Sequence, residues 1–528
     1  MRFFIFFAVV ALMFSSLMLA NSHVLWFIPA LVFGALTIYG VFDLVQNSHA
    51  LWRNYPVLGR ARWVFEFMRP YLRQYLVEGE TDGMPFNREQ RSLVYRRAKN
   101  VQASEPFGSH VDFNEAKYEW LNPSLAAVET DPTNFRINIG GKDCKQPYSA
   151  SVFNISAMSF GSLGSNAISA LNRGAAKGRF YHDTGEGAIS PYHKLGGDLV
   201  WEIGSGYFGC RDKSGNFDPK RFAENAKQDC VKMIEIKLSQ GAKPGHGGIL
   251  PGSKVTKEIA ETRGIALGET CVSPPSHKAF STPIEMMQFI ATLRELSGGK
   301  PVGFKLCIGH RWEFLALVKA MLKTGIKPDF IVIDGGEGGT GAAPVEFQDH
   351  IGTPLRAGLV FARNALVGAG LKDEIKLGAS GKIVSAFGLA AAMAVGADYC
   401  NSGRGFMFAL GCVQSLTCHT NHCPTGIATQ DKLLQRGLVV SDKSERVYHF
   451  HKNTVRALAE VVGAAGLSHP TDLKPCHIFH RVSATRALPA DEVYELLGNG
   501  DLLDKPQNTC LAVDWARADA NHFTANTG

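Results

Sequence analysis

The sequence predicts an α/β protein: a (β/α)8 TIM barrel preceded by an N-terminal two-helix transmembrane hairpin and followed by a helical C-terminal tail. Three observations predict it. Eight short apolar runs alternate with helical patterns, glycine-rich turns follow the last three runs, and two long uncharged stretches precede residue 46. With 528 residues, 45% hydrophobic and 20% charged, the chain can bury a large core and is globular in class. The net charge is only +7, and no basic run interleaved with aromatics suggests a nucleic-acid groove.

The N-terminal stretches come first. Residues 3–20 and 24–42 are apolar and uncharged, each close to the ~20 residues that span a bilayer core. Only Asn21, Ser22 and His23 separate them, so residues 1–46 read as a tight helical hairpin. Arg2 precedes it, and Arg53, Arg60, Arg62, Arg69 and Arg73 follow. The positive-inside rule then keeps both ends in the cytoplasm, which predicts a multi-pass protein of the inner (cytoplasmic) membrane with a cytoplasmic catalytic domain. A cleaved signal peptide is the rival reading, with Met1-Arg2 as its basic start and Ala20 at the cleavage site; Met18 is a poor small-residue partner for Ala20, and a second span follows at once.

Residues 47–150 read as a juxtamembrane helical and lead-in segment. FEFMRPYLRQYL (65–76) mixes apolar and basic residues, as an interfacial anchor or an amphipathic helix packed on a domain would. Within residues 151–430 the strand-like runs are FNISAM (153–158), RFYHD (179–183), LVWEIG (199–204), VKMIEIKL (231–238), VGFKLCIG (302–309), DFIVID (329–334), EIKLGAS (374–380) and ADYCNSG (397–403). Eight strands over about 250 residues are what the barrel requires. The Gly- and Pro-rich insertion at 239–283 follows the fourth run, which places it on the catalytic face. Residues 431–528 read as a helical tail with no further strand series.

After the sixth run, Gly336 to Gly341 spell G-x-G-x-x-G, the pattern of a dinucleotide-binding turn. The context contradicts that reading. Pro344 breaks the chain soon after the last glycine, and about 20 residues on there is Arg363 rather than a carboxylate. In a barrel the same glycines line the rim beside a phosphate site built from the loops after the last two strands, here GASGKI (378–383) and NSGRGF (401–406).

Of eleven cysteines, eight are scattered singly, as reduced core thiols of a cytosolic domain are. Cys412, Cys418 and Cys423 cluster in GCVQSLTCHTNHCPTGIATQD. Three close thiols followed by proline suit an iron-sulfur cluster. Zinc, with His419 or His422 as fourth ligand, and a metal-free loop are the alternatives.

From about residue 153 to 431 the sequence resembles the FMN-binding synthase domain of glutamate synthase. The resemblance rests on SAMSFGSLG, DTGEGAIS, IEIKLSQGAKPGHGGILPG, SPPSHKAFS, GFKL, DGGEGGTGAAP with HIGTP behind it, and CHTNHCPTGIATQD, which fall in the family's order. The N-terminal hairpin and basic segment resemble the membrane-associated subgroup of that family. The resemblance implies FMN, a [3Fe-4S] cluster on Cys412, Cys418 and Cys423, and reduction of the imine of 2-oxoglutarate to glutamate. It implies that Ala157, Met158 and Ser159 underlie the isoalloxazine, that Gly335 and Gly336 line the rim, and that the backbone of Ser380, Gly381, Gly403 and Arg404 meets the phosphate. Lys305 is expected to stabilise charge on reduced flavin or to bind a substrate carboxylate. Lys243 would act on the same acid, and Glu186 would relay protons or shape an ammonia entrance.

The departures are equally informative. The full enzyme opens with an amidotransferase domain whose N-terminal cysteine releases ammonia from glutamine, whereas this chain begins Met-Arg-Phe and has no cysteine before Cys144. The large C-terminal β-helix domain and a dinucleotide site are not readable either. The expectation is therefore a 2-oxo acid substrate, with ammonia from solution or from a separate glutaminase, and electrons from a separate donor protein. A membrane-docked oxidoreductase acting on another amine or oxo acid is the runner-up, and a degenerate scaffold is the third reading.

Overall fold

The computed structural model describes residues 3–102 and 104–526. They divide into two compact units, Met1–Arg88 and Glu89–Gly528.

In the first unit, α1 (Phe4–Ala20) and α2 (Phe27–Val45) are joined by a 3-10 turn, Val24–Trp26, whose Leu25 N–H donates to His23 Nδ1 at 3.3 Å. Gly40 of α2 lets α1 approach, because a Cβ there would overlap the Phe6 ring. The two helices are not equal spans. Val24–Val45 covers 22 residues and is long and apolar enough to cross a membrane by length and composition, the one such helix among the described residues. The 17 residues of α1 reach about 25 Å, short of a bilayer core of about 30 Å. At the end of α2, Asp43 is fully buried and accepts from Arg60 at 2.6 Å and from the Val57 N–H at 3.1 Å. Beyond it, α3 (Ala61–Leu72) leaves Trp63, Phe65 and Phe67 exposed.

The second unit is built on a closed parallel barrel of eight strands among the described residues. They are β1 (Phe153–Ile155), β2 (His182–Asp183), β3 (Leu199–Ile203), β4 (Val231–Lys237), β5 (Val302–Leu306), β6 (Phe330–Asp334), β7 (Lys376–Ser380) and β8 (Tyr399–Ser402). Each falls inside an expected run, and β8 closes on β1 with Cys400 opposite Phe153. α4 (Ser165–Gly178) follows β1, but β2 leads into a 3-10 turn, Pro191–His193, rather than a helix. The insertion after β4 holds a two-residue-strand hairpin, Ile249–Leu250 with Cys271–Val272, and the helix Lys257–Arg263. After β6 no helix opens at Gly341; the next begins at Val345, so the glycine pattern is not a dinucleotide turn. α5 (Arg404–Leu410) starts directly after β8.

The C-terminal region is helical, as expected, and its longest element, α6 (Val440–Ala464), packs on α4 across Gly174, where a Cβ would come within 2.6 Å of Val447. It also contains a hairpin that the sequence reading lacked. Ile478–Ser483 pairs with Arg486–Pro489 and with Glu119–Leu121. A second unexpected hairpin, Arg136–Ile139 with Tyr148–Ser151, leads into β1. Both are short, and one depends on a partner more than 350 positions away, beyond the reach of local pattern.

A cavity of about 740 Å³ lies at the N-terminal ends of the strands, lined by Asp198, Val231, Lys232 and Lys300. Barrel chemistry belongs to the opposite end.

Candidate active site

Four strands send charged side chains into the barrel interior. Asp183 of β2, Glu202 of β3, Glu235 of β4 and Lys305 of β5 are all buried. The Lys305 ammonium donates to Glu202 Oε2 in a short hydrogen bond and stands 3.2 Å from Glu235 Oε1. Oxygens of Asp183, Glu202 and Glu235 lie within 4.8 Å of one another. A low-dielectric interior strongly disfavours three charged carboxylates against one cation at rest. Burial, and then the neighbouring Glu202, push the Asp183 carboxyl up to about 7. Burial pushes Glu235 well above the carboxylate range, with Asp183 and Glu202 adding to it against the pull of Lys305. For Lys305, burial works against the charge, yet Glu202, Glu235, Asp183 and Asp334 outweigh it and hold the ammonium well above its ordinary value.

Above this floor sits a second charged group. Glu186 pairs with Lys237 at 2.8 Å, and although burial raises its carboxyl, Lys237, Arg263 and Lys243 bring it below the usual range. Lys243, in the insertion, is buried, and burial with nearby Lys237 lowers its ammonium. The DTGEG turn folds tightly here. Gly185 has φ +63°, and a Cβ on it would come 2.6 Å from the Ser159 N–H. The loop after β1, with Ala157, Met158 and Ser159, therefore packs directly on the loop after β2. Arg263 of the insertion adds a bond to the Phe160 carbonyl at 2.9 Å.

The rim after β6, β7 and β8 is glycine-lined. Gly335 N–H donates to the Ser380 carbonyl at 2.7 Å and Gly336 N–H to the Thr353 carbonyl at 2.9 Å. Those two amides are engaged within the protein, and a Cβ on either glycine would come within 2.7 Å of protein atoms, so the glycines are required by close packing and offer no free N–H to a ligand. Ser156 Oγ and Ser380 Oγ are 3.3 Å apart, and a Cβ on Gly403 would meet nothing nearer than Met158 Sδ and Ser156 Cβ at 3.8 Å. The loops after β1, β7 and β8 thus bound one cradle. No side chain caps α5, whose first N–H groups have no intrahelical acceptor. The Arg404 guanidinium, however, donates to the Thr340 carbonyl in a short bond and lies 4.0 Å from Cys418 Sγ. Its side chain runs along the cysteine loop rather than into the cradle.

That loop holds Cys412, Cys418 and Cys423. Gln414 N–H points at Cys412 Sγ at 3.5 Å, and the Thr425 hydroxyl is 3.4 Å from Cys423 Sγ. Burial pushes the Cys412 thiol up to about 11. Burial also raises Cys423, but Thr425 and the backbone N–H groups of Ala428 and Ile427 outweigh it and the thiol falls below its ordinary value. Lys254 of the insertion donates to the carbonyls of Cys418 at 2.8 Å, Ala428 at 2.9 Å and Ser162 at 3.1 Å, tying three loops together.

Residues 113–468 match a family model described as a conserved region in glutamate synthase, about two thirds of the chain. The chain belongs to the glutamate synthase family. It is accordingly an oxidoreductase of the class acting on CH–NH2 donors. The glutamate synthase large subunit-like protein YerD of Bacillus subtilis strain 168 is 36% identical over 495 residues, 86% of this chain and 93% of that protein. The archaeal glutamate synthase [NADPH] of Methanocaldococcus jannaschii is 35% identical over 325 residues, 61% of this chain and 60% of that protein. The ferredoxin-dependent glutamate synthase 2 of Synechocystis is 34% identical over 266 residues, 49% of this chain and 17% of that protein. The chain therefore spans nearly all of one relative and only part of the others. Within this glutamate synthase barrel, the sequence singled out Lys305, Lys243 and Glu186, which the structure places among buried charged groups, but not Asp183, Glu202, Glu235 and Lys237, which stand beside them. Each of the missed four was on the page inside a recognised strand run. A count of charged residues at inward positions of an apolar strand would have flagged them.

Proposed function

We propose that the barrel binds FMN and reduces the imine formed from 2-oxoglutarate and ammonia to glutamate. The observation that carries this is the Lys305 ammonium, held at the floor of a glycine-lined mouth by buried carboxylates. The residues fit one phosphate: Ser380, Gly381, Gly403 and the backbone of Arg404 would hold it, with Ala157, Met158 and Ser159 beneath the ring system. When bound, FMN supplies the hydride. Lys305 is committed to Glu202 and Glu235, so it suits charge stabilisation from below and leaves the substrate carboxylate to Lys243. Glu186, charged and paired with Lys237, borders the route by which ammonia would enter. Glu202 and Glu235 keep Lys305 oriented, and the insertion packed by Arg263 helps to exclude water.

Cys412, Cys418 and Cys423 would hold a [3Fe-4S] cluster that supplies single-electron transfer. Donors aimed at two of the sulfurs suit anionic metal thiolates. Among the described residues the three thiols do not converge within 4.8 Å, as the ligands of one zinc ion would. Ammonia from solution or a separate glutaminase would provide nitrogen, and a donor protein the electrons. The apolar helix Val24–Val45 and the arginines that follow it support a membrane-docked protein of the membrane-associated subgroup with a cytoplasmic barrel; the two passes expected from the sequence do not stand, because α1 is too short to span. An amine substrate is the second reading, favoured by the acid-rich floor.

The test is direct. Released flavin from denatured protein should be FMN, and photoreduced protein should form glutamate from 2-oxoglutarate plus ammonium. Lys243→Ala should raise KM for 2-oxoglutarate about tenfold or more, the loss of one charge-assisted bond. FAD, or no flavin, would overturn the cofactor; turnover only with other amines or oxo acids would select the second reading.

A further inference from the structure

The floor of the barrel carries more acid than its cation can balance. Asp183, Glu202, Glu235 and Asp334 face one ammonium, Lys305, and the other titratable groups packed against them, among the described residues, are the phenols of Tyr181 and Tyr399 and the thiol of Cys307 beside Asp334. The ammonium also occupies the place a metal ion would need, since it hydrogen-bonds one of the three converging carboxylates and lies within ion-pair distance of a second. The excess charge must therefore be met by protons. Glu202 makes the short bond and is the fixed counter-ion of Lys305. Glu235 approaches Lys305 at 3.2 Å without an aligned hydrogen bond, and its other close neighbour is Asp183. Asp183 in turn accepts from the Gly185 N–H at 3.0 Å, in the turn that carries Glu186. Asp334 is held separately by the Gly241 N–H at 2.7 Å.

We propose that Asp183 and Glu235 share a proton beneath the mouth and that Lys305 links this store to the reacting site. The destination of the proton rests on the function proposed above; the existence of the store does not. In the transfer, the Glu235 carboxyl O–H breaks as an N–H forms on Lys305 Nζ, in step with loss of a different Nζ proton to a substrate nitrogen or oxygen at the mouth. Lys305 remains an ammonium throughout, and the Asp183–Glu235 pair ends one proton poorer. The pair recovers its proton from solvent between turnovers. No electron moves in this step. Burial, which raises Asp183 to about 7 and Glu235 above the carboxylate range, agrees with a proton resident at neutral pH. Asp183, Glu235 and Glu202 are thus positioning and proton-holding residues, and only Lys305 borders the reacting atoms.

Infrared spectroscopy of the full-length protein, as purified and after flavin removal, reads the store without turnover. At neutral pH a carbonyl band of a protonated carboxylic acid is expected in both forms, shifting in D2O and fading only as the pair loses its proton on the alkaline side. Asp183→Asn and Glu235→Gln should each remove or displace it, whereas Asp229→Asn at the far end of the barrel should not. In turnover, the alkaline fall of the wild-type pH–rate profile should flatten in Asp183→Asn. If either variant fails to fold, the pH titration and D2O shift of the wild-type band decide the question alone. Absence of the band at neutral pH, a band unchanged in both folded variants, or one equivalent of metal lost with Asp183→Asn would overturn the proposal. Loss of the FMN reading would leave the band in place, and loss of the band would leave the FMN reading standing.

Discussion

The cysteine loop and the barrel floor both gather reactive side chains, but they are held in opposite ways. In the loop, Cys412, Cys418 and Cys423 lie within a dozen positions of one another and are met by local donors from Gln414 and Thr425. On the floor, Asp183, Glu202, Glu235 and Lys305 come from four strands and are held mainly by one another. A local loop can lose one ligand and keep its backbone. A mutual ion network cannot lose its cation without leaving buried charge behind. The comparison teaches that the rim is a replaceable module, whereas the floor is part of the fold.

The largest expected effect tests the floor. Lys305→Ala should lower glutamate formation by about 10²-fold or more, if the ammonium stabilises transition-state charge. It should also cost about 3–5 kcal/mol of stability, read from the denaturant midpoint, because Glu202 loses its partner. A variant as stable as the parent would show that the carboxylates are already protonated without Lys305.

The next effect is on the rim. Cys418→Ser should abolish bound iron and sulfide while leaving the flavin content and the denaturant midpoint close to those of the parent. With flavin photoreduced directly, its rate should fall by less than tenfold, whereas with a protein electron donor turnover should cease. Loss of flavin together with iron would erase the contrast between the two regions.

The smallest effect is in pH dependence. The folded Asp183 carboxyl titrates at about 7 against an ordinary 3.8, so between those values the folded state binds more protons than the unfolded state. Stability from this group is full below about 4 and is lost as pH rises through about 7. Asp183→Asn should therefore unfold with less pH dependence across that window and gain on the parent at pH 8. Parallel melting curves from pH 4 to pH 8 would remove Asp183 from the proton account.

Much of this architecture could be read before any coordinates. All eight barrel strands coincide with apolar runs bounded by glycine or polar turns, because a parallel strand buried on both faces must be nearly continuous in hydrophobicity. Lys305 stood out as a charge within such a run. Glu202 and Glu235 stood in runs of the same kind but were passed over, because LVWEIG and VKMIEIKL were read only as strands. The unequal N-terminal helices were also missed. Composition counted Phe3 as part of the first span, while the helix itself begins at Phe4 and closes at Ala20.

By itself the sequence determined the barrel, the order of its loops and the family, since these follow from periodicity and from residues adjacent along the chain. Only the tertiary structure decided which charges meet. Asp183 and Glu235 are more than fifty positions apart, and whether they share a proton or never touch depends on strand register and barrel closure. It also decided that Arg404 follows the cysteine loop and that Gly335 and Gly336 have their N–H groups engaged. The physical reason is range: hydrophobic pattern acts along the chain, whereas Coulomb energy and desolvation depend on distances that exist only after the chain has closed on itself.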